Sequence, residues 1–197
     1  MRLILDWDGT STLDDTMDAL VREFGSTELL EVHLDRRPDL TLHQIIEDEL
    51  GSIRVPLAEA QRWLVENVRL RPGFHELVAA HRPLLLSSNV RQLIEPVLER
   101  EGLANLELIA NDLEDGWVVK WRDESVCETC GQPCKRATLP DGEIVYVGDG
   151  FSDRCAALAA DHVFATGSLA RYLEQEGAAF THFDDLHEVA AGLVSLV

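Results

Sequence analysis

Three short apolar runs, each broken off by oxygen-bearing residues, constrain the fold of this chain more than any other feature. They are Leu3-Ile4-Leu5 before Asp6 and Asp8, Leu84-Leu85-Leu86 before Ser87-Ser88-Asn89, and Ile144 to Val147 before Gly148-Asp149-Gly150. Runs of this length read as buried strands. Stretches with helical spacing fall between and after them: Phe74, Leu77 and Val78; Leu93, Ile94, Val97 and Leu98, stopping near Gly102; Ala156 to Ala160; Ser168 to Glu176; and Leu186 to Val194. Leu106 to Ile109 adds a short strand. Trp117-Val118-Val119 after Asp115-Gly116 suggests a hairpin, and Val163-Phe164-Ala165 reads as the last strand. Strands alternating with helices imply parallel β-α-β crossovers. The expected class is α/β, with a doubly wound, Rossmann-like parallel sheet.

Residues 12–70 break that alternation, because they carry four amphipathic patterns and no strand. Asp14-Asp15 offer an N-cap to a helix through Met17, Leu20, Val21 and Phe24, which Gly25 ends. Thr27 caps a second through Leu29, Leu30, Val32 and Leu34, ended by Pro38. Thr41 starts a third through Ile45, Ile46 and Leu50, with Gly51 where a terminating glycine belongs. Pro56 opens a fourth through Leu57, Ala60, Trp63, Leu64 and Val68. The expected division is a core of 1–11 and 71–197 with a small helical subdomain at 12–70. Trp63, Trp117 and Trp121 are expected to pack core or subdomain rather than stack on a ligand.

Charge narrows the partners. The formal net charge is -19 over 197 residues, a poor match to nucleic acid or an anionic membrane, which call for a basic patch. It does not exclude an anionic substrate, because a bound cation sets the sign inside a pocket. No stretch approaches the roughly 20 apolar residues of a membrane span. Asp6 and Asp8 interrupt the first apolar run too early for a signal-peptide core, so the cytoplasm is the default location. A homodimer is the default assembly.

The chemistry is concentrated at the three strand ends, where open parallel sheets bind ligands. Asp6 and Asp8, at i and i+2 with Gly9 permitting a sharp turn, can hold a divalent cation and leave one carboxylate free to attack an electrophile. A calcium loop is a poorer fit, since its twelfth position counted from Asp6 is Met17 rather than Glu. The Ser87 hydroxyl and the backbone N–H groups that follow, including that of Ser88, suit a phosphate oxygen. Asp149 can complete a site of hard oxygen ligands.

Asp6-Trp7-Asp8-Gly9-Thr10, Ser87 and Gly148-Asp149-Gly150-Phe151-Ser152-Asp153, in that order, resemble the motifs of haloacid dehalogenase superfamily phosphatases. The resemblance covers nearly the whole chain and implies a helical cap inserted straight after the first motif. It implies Asp6 as nucleophile through an aspartyl-phosphate and Asp8 as general acid and base. It further implies Mg²⁺ held by Asp6, the backbone carbonyl of Asp8 and Asp149, with Asp153 orienting a metal-bound water or pairing with a lysine. The substrate would be a small phosphomonoester. Lys135 is the expected phosphate-binding lysine, with Lys120 as the fallback and Arg136 as an electrostatic substitute. Pro140-Asp141-Gly142 cuts short the helix that related phosphatases place after this lysine.

Cys127, Cys130 and Cys134 form a C-x-x-C-x-x-x-C cluster with zinc, disulfide and free-thiol readings open, and Cys155 is the only other cysteine. A similar Cys-rich loop marks the methionine-salvage phosphatases acting on 2-hydroxy-3-keto-5-methylthiopentenyl-1-phosphate and the phosphoethanolamine/phosphocholine phosphatases. Phosphoserine phosphatases share the cap position but place a Glu soon after the first motif, where this chain has Asp14 and Asp15. Two rival functions use the same residues: transfer of the phosphoryl group to another hydroxyl, or non-catalytic binding with the cysteines as a zinc or redox element.

Overall fold

A computed structural model describes residues 1–36, 39–114, 116–122 and 125–196, with the side chains of 33–36 outside that description. Seven strands form one sheet: β1 (Arg2–Leu5), β2 (Leu84–Val90), β3 (Leu108–Leu113), β4 (Val119–Lys120), β5 (Ile144–Gly148), β6 (His162–Ala165) and β7 (Thr181–His182). Their order is β4-β3-β2-β1-β5-β6-β7, and every pair is parallel except β3 with β4. Ile4 and Leu5 register with Leu84 and Leu85 on one side, and Leu3 and Leu5 with Val145 and Val147 on the other. The three apolar runs are therefore adjacent strands. The chain order switches direction across β1, which opens a crevice at the carboxyl ends of β1, β2 and β5.

Strand alternation assigns the two faces. Leu3, Leu5, Val145 and Val147 pack with α5 (Phe74–His81), α6 (Arg91–Arg100) and α9 (Leu186–Val194). Ile4, Tyr146 and Ala165 pack on the other face with α7 (Arg154–Ala157) and α8 (Gly167–Glu176). Both faces are covered, as a parallel sheet requires.

Four helices separate β1 from α5: α1 (Thr16–Phe24), α2 (Thr27–Arg36), α3 (Leu42–Ser52) and α4 (Leu57–Asn67). Asp15 caps α1 by accepting from the Met17 and Asp18 N–H groups, and Thr41 caps α3 in a reciprocal box with Gln44. The chain leaves the sheet and returns to it through one paired crossing. There Thr12 bridges Leu70, the Leu13 N–H donates to the Arg69 carbonyl (3.0 Å), and the Arg71 N–H donates to the Ser11 carbonyl (2.8 Å). The β3–β4 hairpin docks on these helices through its tryptophans. Trp117 Nε1 donates to the Val55 carbonyl, while Trp121 stacks on His43 and donates to Glu47. Trp63 meets Phe24 edge to face. All three are packing residues.

Several boundaries differ from expectation. Gly51 lies inside α3, which continues to Ser52 and ends at Ile53 in extended conformation. β2 runs on through Ser87-Ser88-Asn89, with its register against β3 breaking between Leu86 and Val90. β3 starts two residues later than expected and takes in the polar Asn111 and Asp112. α7 ends at Ala157. Val163-Phe164-Ala165 is not the last strand, since β7 pairs beyond it through Phe164↔Thr181 and Ala165↔His182. Pro38 and Asp115 lie outside the described residues. Among the described residues, no helix is long and apolar enough to cross a membrane.

Candidate active site

β1 ends by handing its direction to Asp6, whose N–H continues the sheet by donating to the Val147 carbonyl (3.0 Å). The next residues form a tight loop in which Gly9 adopts φ +68°. A Cβ there would lie 2.5 Å from Asp149 Oδ2. Only glycine lets the loop approach the β5 turn so closely. Thr10 Oγ1 closes the contact by donating to Asp149 Oδ1 (2.9 Å). Arg71 braces the same loop from outside, its guanidinium donating to the Gly9, Thr10 and Asp184 carbonyls.

The β5 turn is held by one carboxylate. Asp153 Oδ2 accepts from the Asp149 N–H (3.0 Å) and the Gly150 N–H (2.9 Å), while Oδ1 accepts from Tyr146 Oη (2.6 Å) and Lys135 Nζ (2.7 Å). Lys135 Nζ also donates to Asp6 Oδ1. Asp6, Lys135 and Asp153 are all buried, Lys135 and Asp153 with 0% exposure. Lys135 rides on a single helical turn, Lys135–Thr138. Lys120 stands exposed on β4, and Arg136 is half-buried at the next position, so Lys135 is the lysine that meets the carboxylates.

Asp8 projects to the other side of the loop. Its Oδ1 accepts from the N–H and hydroxyl of Thr16 at the start of α1, and its Oδ2 accepts from Asn89 Nδ2 (3.0 Å). Ser87 is buried, and its hydroxyl accepts from the Asn89 N–H (3.0 Å). Asp6, Asp8, Ser87, Ser88, Asn89 and Asp149 line one cavity of about 310 Å³. Its other walls include Asp15, Met17, Asp18, Ile45, Ile46 and Glu49 from the inserted region and Gly150, Phe151, Ser152 and Ser168 from the sheet side.

Electrostatically the cluster is short of positive charge. Burial raises the Asp6 carboxyl well above its ordinary pKa, and the neighbouring Asp153 adds to this against the pull of Lys135. Burial and Asp153 raise Asp149 to about 7. Burial raises Asp8 against its hydrogen bonds from Thr16 and Asn89. Asp153 alone is lowered: its burial is outweighed by the charge and hydrogen bond of Lys135 together with hydrogen bonds from Tyr146 and the Gly150 N–H. Four carboxylates thus face one lysine. Asp6, Asp149 and Asp153 bring carboxylate oxygens within 4.8 Å of one another. Oxygen ligands, excess negative charge and the glycine cradle at Gly9 together fit a hard divalent cation such as Mg²⁺.

All of the expected oxygen-bearing residues and Lys135 converge here. Sequence reasoning missed Thr16, Asn89, Arg71 and Tyr146. Asn89 stands two residues beyond Ser87, and Tyr146 is the one hydroxyl inside an apolar strand; both were visible signals. Thr16 and Arg71 are placed by the path of the helical insertion and had none. The thiols of Cys127, Cys130 and Cys134 are a separate group, outside the cavity lining.

A family model for haloacid dehalogenase-like hydrolases matches residues 3–158. The polyol phosphate phosphatase PYP1 of Saccharomyces cerevisiae is 28% identical, over 97% of this chain and 91% of its own. The 2-hydroxy-3-keto-5-methylthiopentenyl-1-phosphate phosphatase of Exiguobacterium sibiricum is 26% identical, over 96% and 94%. A substrate-bound phosphoserine phosphatase structure superposes with a TM-score of 0.70 at 18% identity, covering 96% of this chain and 97% of that one. At that identity the superposition shows shared fold.

Proposed function

This chain belongs to the haloacid dehalogenase-like hydrolases and is a phosphatase, and from that premise we propose that it hydrolyses a small phosphomonoester through an aspartyl-phosphate on Asp6. The observation that carries the reading is the buried Asp6 carboxylate, held on one oxygen by Lys135 at the floor of the 310 Å³ cavity. The free oxygen of Asp6 attacks phosphorus, and the bond to the leaving oxygen breaks. Asp8, whose burial favours the protonated form, gives its proton to that oxygen. Asp8 then takes a proton from the incoming water, whose oxygen joins phosphorus as the bond to Asp6 breaks. Thr16 and Asn89 fix the Asp8 carboxyl for both transfers. The Ser87 hydroxyl and the Ser88 N–H hold phosphate oxygens, and Lys135 offsets the charge on Asp6.

Asp6, the backbone carbonyl of Asp8 and Asp149 would hold Mg²⁺. When bound, that ion neutralises charge on the transferring phosphoryl group. Asp153 anchors Lys135 and the β5 turn. Residues 12–70 act as a cap over the core of 1–11 and 71–197, excluding water from the intermediate. Support comes from the paired crossing at Ser11–Leu13 and Arg69–Arg71 and from the cap residues in the cavity wall. A cavity this small suits a small metabolite. Its wall of Asp15, Asp18 and Glu49 favours a substrate rich in donors, a polyol phosphate or one bearing an ammonium group.

The test is phosphate release from a panel of polyol phosphates, phosphoserine, phosphoethanolamine and phosphocholine, with Mg²⁺ and with chelator. Turnover should need Mg²⁺ and vanish in Asp6→Asn. Turnover by Asp6→Asn at the wild-type rate would overturn the proposal.

A further inference from the structure

A second cluster of ligating side chains stands apart from the first. Cys127, Cys130 and Cys134 sit in the segment between β4 and β5, and Cys155 is the second residue of α7, beyond β5. The fold brings all four sulfurs within 4.8 Å of one another, as free thiols. A tetrahedron with Zn–S bonds of about 2.3 Å has S···S edges of about 3.8 Å, so four sulfurs already this close need only a small contraction. A disulfide needs one pair at about 2.05 Å and would leave the other two sulfurs unexplained.

The backbone around Cys127 supplies an independent observation. The Gly131 N–H donates to the Cys127 carbonyl (2.8 Å) with Gly131 at φ +69°, and the Cys127 N–H donates to the Gln132 carbonyl (3.0 Å). This closed turn fixes the loop that carries the Cys127 and Cys130 sulfurs. Soft sulfur ligands in a closed set of four select Zn²⁺ over the hard cation suited to the carboxylate cluster.

We propose that Cys127, Cys130, Cys134 and Cys155 form a tetrathiolate site for one Zn²⁺ ion that clamps the β4–β5 segment to the start of α7. Binding releases the thiol protons and leaves no open coordination position, so the ion is structural. Its effect on the phosphatase site runs through the chain. Cys134 immediately precedes Lys135, and Cys155 lies two residues after Asp153. Lys135 is a fully buried lysine carried by one helical turn in a segment with little other regular structure. The clamp fixes both ends of the Lys135–Asp153 pair across β5.

The test uses the full chain purified under reducing conditions without chelator. Elemental analysis should find one zinc per chain, retained through dialysis against excess Mg²⁺. Replacing it with Co²⁺ should give the visible and near-ultraviolet bands of a tetrahedral tetrathiolate, and Cys155→Ser should lose the four-sulfur spectrum. Because Cys155→Ser can also unfold the chain, a second measurement stays on the wild type. There, a mercurial should release one zinc as four thiols are titrated, and hydrogen exchange over 127–138 should rise several-fold on zinc removal. Wild-type protein that takes up neither Zn²⁺ nor Co²⁺ in stoichiometric amount overturns the proposal. So does release without consumption of Cys155, or a mass that shows the cysteines paired as disulfides.

Discussion

The carboxylate cluster and the thiol cluster are built in opposite ways, although they share the β5–α7 turn and stand on either side of Lys135. The carboxylates hang from strand ends whose registers are fixed by the central sheet, and backbone N–H groups or a buried lysine already hold them. The thiols come from a loop closed by a few turn hydrogen bonds and from a short helix. The first cluster is preorganised and open to a cavity; the second has the geometry of a closed knot. Rigid strands place reacting groups and leave room for a substrate, while a loop without its own packing needs a cross-link to hold a buried lysine.

Breaking the first cluster at the proposed nucleophile should have the largest effect. Asp6→Asn should lower turnover by on the order of 10³-fold or more with little change in fold, measured by phosphate release and circular dichroism. Removing the cation between the two acids comes next. Lys135→Met leaves Asp6 and Asp153 buried without the cation they share and should cost about 3–5 kcal/mol in denaturant unfolding, the cost of an uncompensated buried charge. A loss below 1 kcal/mol would mean that Lys135 is not the shared pivot of the two clusters.

Gly9→Ala should cost at least about 1 kcal/mol for the left-handed backbone alone, and more because the new methyl meets Asp149. Its activity should fall, whereas zinc content should not change. Tyr146→Phe removes one hydrogen bond to Asp153 and should cost about 1 kcal/mol, with zinc again unchanged.

A further test is pH dependence in chelator. Burial, and then Asp153, push the Asp149 carboxyl up to about 7 in the folded chain, above the usual carboxylate range, with Thr10, Lys135 and Asp8 as its other neighbours. The folded state therefore holds this proton more tightly. Its contribution to stability is complete below about pH 4 and is lost as pH rises through about 7, at no more than about 1.4 kcal/mol per pH unit. Asp149→Asn should flatten that fall. A slope unchanged by the substitution would contradict the assignment.

Much of this architecture was legible because apolar runs of strand length end in residues that have no other reason to be there. Asp6, Asp8, Ser87, Asp149 and Asp153 share one edge once β1 is placed between β2 and β5, an order that the structure supplies. The caps at Asp15 and Thr41 were equally plain. What stayed hidden depends on tertiary approach. Arg71 reaches the Gly9 and Thr10 carbonyls only because the helical insertion returns the chain beside its exit. Cys155 joins the other cysteines only because β5 carries it back past them. β7 is two exposed residues with no apolar signal, and the polar end of β3 looks like a loop until it is paired. Gly51 misled because a glycine late in a helical pattern suggests a stop, whereas here α3 runs on.

The central claim is the covalent bond to Asp6. The direct measurement is rapid acid quench of Asp8→Asn with the best substrate of the panel, followed by peptide mass spectrometry. A single phosphoryl group on the peptide carrying Asp6, absent in Asp6→Asn, is the expected result. Turnover with no phosphorylated peptide, or a phosphoryl group on another residue, would contradict it.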